Sequence, residues 1–322
     1  MINIYNKSCY GLDNIENNSL DAVITDPPYG IKLEDWDEFP DKIIWTDCFN
    51  KLKPGGFLLC FSAIKHQHIF TTNLIEAGFE FKDVLLWAYL NGRVPPINVD
   101  SKIDKHLGLS REVIGEYNYI QGNPNSNKKD SYTNKTSKTK STESSKDWEG
   151  FGTGLKTAYE PIIMVQKPLE GNLATNILKY NTGALNIEST RIPYDEGETG
   201  VGHNPHPKGR VMSNIIQTED FGNYGKYFNI HNNTEQSDDY DHFYFHGKVR
   251  DGKKTGNLHP TKKPVSLMEQ LIKLVSLENQ TILDPFMGSG STGVASKNLK
   301  RKFIGFEKIQ EHFNTSKKRL DL

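Results

Sequence analysis

The stretch Ala22-Val23-Ile24-Thr25-Asp26-Pro27-Pro28-Tyr29 decides how this chain is read. Its first four residues form an apolar, β-branched run without alternation, the pattern of a strand buried on both faces of a parallel sheet. Two prolines end the run, because they cannot donate to a ladder and they fix the backbone. Ligands of open parallel sheets collect at the carboxyl ends of the strands. Asp26 and Tyr29 are therefore expected beside a ligand. The Asp26 carboxylate and a rigid carbonyl at Pro27 make neighbouring acceptors, matched to an amino group with two N–H donors. An aromatic ring next to them can hold a base by stacking. Asp26, Pro27, Pro28 and Tyr29 are the candidate catalytic residues. The blander reading is a Pro-Pro turn with an Asp cap, and the four letters alone leave both open.

Outward from this stretch, similar runs recur. Ile2–Tyr5, Phe57–Phe61, Val84–Trp87 and Pro161–Val165 read as further strands, the second launched from the turn Lys53-Pro54-Gly55-Gly56. Helical patterns lie between them, at Ile43–Leu52 and His66–Ala77. Near the other end come a helix over Val265–Leu277, a strand Thr281–Leu283, a glycine-rich turn, a helix to about Leu299 and a strand Lys302–Phe306. Strands alternating with helices predict an α/β fold with a mainly parallel sheet of seven strands.

The glycine-rich turn is Asp284-Pro285-Phe286-Met287-Gly288-Ser289-Gly290-Ser291-Thr292-Gly293. Its spacing satisfies a dinucleotide fingerprint, which alone is a weak signal. The glycines admit close backbone approach, and the helix N-terminus favours an anion such as a carboxylate. Asp284 is placed to take an ammonium, and Glu307, ending the next strand, to accept from ribose hydroxyls. A ligand with carboxylate, ammonium and ribose is S-adenosylmethionine. A dinucleotide is the rival, and it leaves Asp284 and the Pro-Pro motif unexplained.

Bulk properties narrow the class. The chain has 322 residues with 35% hydrophobic content and a net charge of -1, so any contact with phosphate must be local. Three cysteines without metal spacing, Cys9, Cys48 and Cys60, read as reduced thiols. No run has the length of a membrane span, and the N-terminus lacks a signal peptide's basic and apolar regions. A cytoplasmic protein is expected, with no membrane partner.

Together these residues resemble an amino-group DNA methyltransferase of the permuted beta order, in particular the adenine-specific methylases of phages and prophages. Further stretches carry the likeness: Val99–Lys105, Gly152–Pro161, Asn181–Ile187 and His259-Pro260-Thr261-Lys262-Lys263-Pro264. The resemblance implies a Rossmann-like, circularly permuted seven-stranded sheet, mainly parallel with one reversed strand, and an inserted target-recognition region. It implies that Ile2–Tyr5 lies beside the Glu307 strand and the Asp26 strand beside the Asp284 strand. It also implies S-adenosylmethionine as cofactor, held by Ser8, Cys9, Asp26, His259, Thr261, Lys263, Asp284, Phe286, Gly288, Ser289, Gly290, Ser291, Thr292 and Glu307. Where the family has Gly-Asp-Cys, this chain has Lys7-Ser8-Cys9. Asp at position 26 points to adenine N6, since cytosine N4 members usually carry Ser there. Cytosine N4 transfer and a non-catalytic DNA-binding module are the alternatives.

The resulting division is 1–119 for the catalytic part, 120–147 for a flexible loop and 148–167 for the last sheet strand. Residues 168–255 follow as the target-recognition region, and 256–322 as the cofactor part. The loop reading rests on residues 121–146, where six lysines stand against Asp130 and Glu143 in a Ser/Thr/Asn-rich segment with too little apolar surface to order itself; ordering on a phosphate backbone is the functional variant. Double-stranded DNA is the expected partner. Lys102, Lys208, Arg210, Lys248 and Arg250 are candidate contacts, while His203, His206 and His246 lack a metal pattern. A monomer or homodimer, with or without a cognate restriction enzyme, fits this reading, in a bacterial or phage-infected cell.

Overall fold

The computed structural model describes residues 1–31, 37–89, 97–121, 132–194, 206–217, 229–230 and 263–322. Contacts divide the chain into two compact units, Met1–Gly92 with Ala158–Leu322, and Arg93–Thr157. Among the described residues no helix is long and apolar enough to cross a membrane.

The larger unit is an α/β fold. Its strands are β1 (Ile2–Tyr5), β2 (Leu20–Thr25), β3 (Leu52–Phe61), β4 (Glu80–Ala88), β7 (Tyr159–Gln166), β8 (Ile215–Gln217), β9 (Asn229–Ile230), β10 (Thr281–Asp284) and β11 (Lys302–Phe306). They form one sheet in the order β1-β11-β10-β2-β3-β7-β4-β8-β9. Among the described residues, only β7 runs against its neighbours, pairing antiparallel with both β3 and β4. All six residues of β2 are buried. Side chains alternate between faces along a strand, so the sheet is covered on both sides there. Helix α5 (Val265–Val275) packs on β2 and β3, and α6 (Ser291–Asn298) on β10 and β11. Helices α1 (Ile43–Lys51), α2 (Gln67–Glu76), α4 (Leu173–Tyr180) and α7 (Gln310–Arg319) complete the unit.

All seven expected strands are present, and β1 lies beside β11 and β2 beside β10. Three details differ. The Lys53–Gly56 segment does not precede β3 but lies inside it, as a bulge between the pairs Leu20–Leu52 and Ala22–Phe57. Pro54 has no N–H to give the ladder and Gly55 has φ 80°, which suits an irregular strand. The sheet also gains two short strands, β8 and β9, beyond β4. Runs of three and two residues are too short to show a period in sequence.

The third difference concerns the middle. The expected flexible loop 120–147 contains β6 (Tyr132–Thr139), paired antiparallel with β5 (Val113–Gln121), and a short 3-10 turn at Lys146–Trp148. Cross-strand backbone bonds order a ribbon whose sequence is polar. These elements belong with α3 (Val99–His106) in the smaller unit. That unit is held by a polar cluster: Arg111 donates to Asp100 at 2.7 Å and lies 3.5 Å from Asp104, which accepts from Thr142 Oγ1 at 2.5 Å.

Candidate active site

The end of β2 and the end of β10 are joined by one side-chain bond. Thr25 Oγ1 donates to Asp284 Oδ1 at 2.8 Å, across 259 residues of sequence. Asp284 also accepts from Thr292 Oγ1 at 2.5 Å and from the Phe286 backbone N–H at 3.1 Å. Its carboxylate therefore shapes the turn leading into α6 and ties that turn to the Asp26 strand. Burial pushes its pKa from an ordinary 3.8 to about 7, against the pull of the two threonines. The folded state thus holds this proton more tightly than an unfolded chain does. Its contribution to stability is greatest below pH 4 and declines as the pH climbs to about 7. Asp284→Asn is expected to remove roughly 4 kcal/mol of that decline, read as the slope of unfolding free energy between pH 4 and 7 without ligand.

The turn itself depends on Gly290, which caps α6 with φ 84°. A Cβ there would meet the Ser316 Cβ at 2.9 Å. Gly290→Ala is expected to cost about 1–3 kcal/mol through strain and overlap, measured by thermal denaturation. Arg319 braces the turn from α7, donating to the Ser289 carbonyl at 2.9 Å and to Ser291 Oγ at 3.2 Å.

Beside these strand ends lies a cleft of about 230 Å³. It brings together every described residue that the sequence put forward for catalysis or cofactor binding except Gly290, which stands behind the turn. His259 and Thr261 lie outside the described residues. Glu307 closes one end, its carboxylate accepting from the Ile309 N–H at 2.7 Å. Burial raises its pKa. Ser8 is exposed and accepts from the Tyr10 N–H at 3.3 Å. Cys9 is buried, and burial lifts its thiol to about 12, so it is no nucleophile.

At the other end, Asp26 is the most exposed carboxylate of a tight cluster. Its Oδ1 accepts from the Tyr29 hydroxyl at 2.5 Å, and its Oδ2 from Lys263 Nζ at 2.6 Å. Glu160, at the start of β7, lies 3.2 Å from both Lys263 Nζ and the Tyr29 hydroxyl. Burial opposes the charge on Lys263, yet Asp26 and Glu160 outweigh it and raise its pKa. Burial raises the pKa of Glu160 as well, with Lys263 pulling it back. Burial and the adjacent Asp26 keep the Tyr29 phenol protonated, a donor. Behind the motif, Asp37 accepts from three successive N–H groups, of Tyr29, Gly30 and Ile31, at 2.8, 3.0 and 3.1 Å. His66 Nδ1 lies 2.7 Å from the Tyr29 carbonyl.

Several of these placements were not foreseen. Lys263 lines the same cleft as the other cofactor candidates, and its pairing with Asp26 was not announced by the sequence. Tyr29 is buried, edge-on to Phe70, with its hydroxyl engaged, and does not stand as an open stacking face. Glu160 was legible as an acidic residue opening a buried strand, a costly placement without a partner. Asp37 gave no signal. Among the DNA candidates, Lys102 is exposed on α3. Lys208 pairs with Glu188 at 3.0 Å, and Arg210 lies 4.9 Å over the Tyr194 ring. Lys248 and Arg250 lie outside the described residues.

Comparison with known proteins agrees with this geometry. Residues 20–318 match a family model described as DNA methylase. The chain is 25% identical to the type II methyltransferase M.HindIII of Haemophilus influenzae, over 99% of this chain and 95% of that protein. It is 24% identical to the type II methyltransferase M1.MboII of Moraxella bovis, over 97% and 93%. Among solved structures, the cytosine-N4-specific PvuII DNA methyltransferase superposes with a TM-score of 0.51 at 15% identity, covering 99% of this chain and 86% of that one. M1.HpyAVI superposes with a TM-score of 0.50 at 19% identity, covering both chains fully. These two likenesses concern the fold.

Proposed function

This chain belongs to the DNA methylase family, and from that premise we propose that it methylates adenine N6 in double-stranded DNA, with S-adenosylmethionine as donor. The observation that carries this reading is the shared cleft: Asp26 faces the same space as Glu307 and the Gly288–Thr292 turn.

The residues present fit that donor. The turn at Gly288 and Ser289 offers backbone to an amino-acid group at a helix N-terminus without a side-chain cap. Glu307 suits ribose hydroxyls, and Phe286 with Ile309 gives apolar walls to a ring. Asp284 already accepts three hydrogen bonds, so its part is to fix the turn and not primarily to hold the ammonium. When bound, the donor supplies a methyl group activated on a sulfonium.

The chain's own residues do the rest. The target base is turned out of the duplex, at a cost of roughly a few kcal/mol. Asp26 and the Pro27 carbonyl accept from its amino group and aim the nitrogen lone pair along the cleft. Tyr29 and Lys263 fix the carboxylate that does the aiming, and Asp37 fixes the backbone beneath it. Holding two reactants in line is the main source of acceleration. No covalent intermediate is needed, in keeping with cysteines that are buried and protonated.

The test is expression in a host free of DNA methylation, followed by single-molecule sequencing. N6-methyladenine at one recurrent sequence is expected. N4-methylcytosine there would overturn the adenine assignment, and unmodified DNA would overturn the proposed activity.

A further inference from the structure

The carboxylate that is to receive the amino group is already occupied. One oxygen of Asp26 takes the Tyr29 hydroxyl and the other the Lys263 ammonium. An incoming N–H must share or displace one of these donors. A displaced donor at this depth needs another acceptor, because a buried ammonium left alone is strongly unfavourable. Glu160 is that acceptor. Its Oε2 stands 3.2 Å from both donors, and the residue is 4% exposed. The reversed direction of β7 explains its presence. Because β7 runs antiparallel to β3, its first residues lie at the end of the sheet where β2 and β3 finish.

Among the described residues, three rings hold the lysine in place. Its ammonium lies 4.9 Å from the Phe61 ring centre, 5.6 Å from that of Tyr29 and 5.9 Å from that of Trp87. Such contacts with ring faces favour a desolvated cation. Only its hydrogen-bond partner can change. The cluster also sets two carboxylates against one ammonium, and that excess suits a nitrogen gaining positive charge as it is alkylated.

We propose that Glu160 is a positioning residue for methyl transfer, taking up the Lys263 ammonium and the Tyr29 hydroxyl as Asp26 turns to the amino group of the base. This rests on Asp26 as the acceptor of that amino group.

The experiment uses the full chain as wild type, Glu160→Gln, Glu160→Asp and Asp26→Ala. It measures turnover on duplex DNA carrying the target sequence, binding of S-adenosylmethionine, and thermal melting. Glu160→Gln keeps the shape and removes the charge. It is expected to lower kcat about 10- to 100-fold while cofactor affinity stays within twofold and melting is unchanged. Glu160→Asp, which keeps the charge, is expected to recover most of the lost rate. Glu160→Gln turning over within twofold of wild type overturns the proposal. So does a parallel fall of turnover, cofactor affinity and melting temperature, the pattern of a merely structural carboxylate. If Asp26→Ala is dead and Glu160→Gln turns over within twofold of wild type, the role of Glu160 fails alone. If wild type methylates no DNA, the parent reading fails with it.

Discussion

Replacing Asp26 with alanine is expected to lower methyl transfer to DNA by about 10²–10³-fold, the scale on which one electrostatic group in a pre-arranged site acts. The fold is expected to survive. Asp26 shares Lys263 with Glu160, so its loss leaves one buried ammonium facing one buried carboxylate. Cofactor binding should also persist, since Glu307 and the Gly288–Thr292 turn do not depend on Asp26 for their hydrogen bonds. Tritium transfer from labelled S-adenosylmethionine, alongside a cofactor titration, reads both quantities. Near-normal turnover in a variant that binds cofactor would remove Asp26 from the chemistry.

The second large effect is on stability. Lys263→Met keeps an unbranched side chain one atom shorter and deletes its charge. Asp26 and Glu160 are then left together with no cation between them, and the Glu160 carboxylate is almost wholly buried. Stripping one partner from a buried ion pair typically costs about 3–5 kcal/mol, and that loss is expected in urea or guanidinium unfolding. Combining Lys263→Met with Glu160→Gln should return part of it, because the more deeply buried of the two uncompensated carboxylates is gone. A single variant within about 1 kcal/mol of wild type, the scale of an exposed pair, would show that the cluster is far more hydrated than its burial indicates.

Much of this was legible in the sequence, for a physical reason. Ala22–Thr25 and Thr281–Leu283 are unbroken apolar runs followed by residues that forbid continuation, so both the strands and their ends could be read. The permuted neighbourship of β2 with β10 and of β1 with β11 came from family resemblance and matches the pairing. What escaped depends on contacts between distant segments. Nothing local announces that Lys263 lies against Asp26 among the rings of Phe61, Tyr29 and Trp87. Pairing is likewise invisible in the lysine-rich stretch, where the β5–β6 ribbon is built from cross-strand backbone bonds and not from apolar alternation.

The bond from Thr25 to Asp284 has a consequence for biosynthesis. A ribosome adds roughly 5–20 residues per second. The 259 residues between the partners therefore take on the order of 10 to 50 s to make. Throughout that interval the emerging polypeptide carries β1 without β11 and β2 without β10. Its Asp-Pro-Pro-Tyr tetrapeptide exists, but the neighbouring strand that completes the cleft does not. Such non-local pairing folds slowly and leaves strand edges open to aggregation. Unfinished chains of this protein thus lack the completed cleft and keep these strand edges unpaired until translation has passed β11.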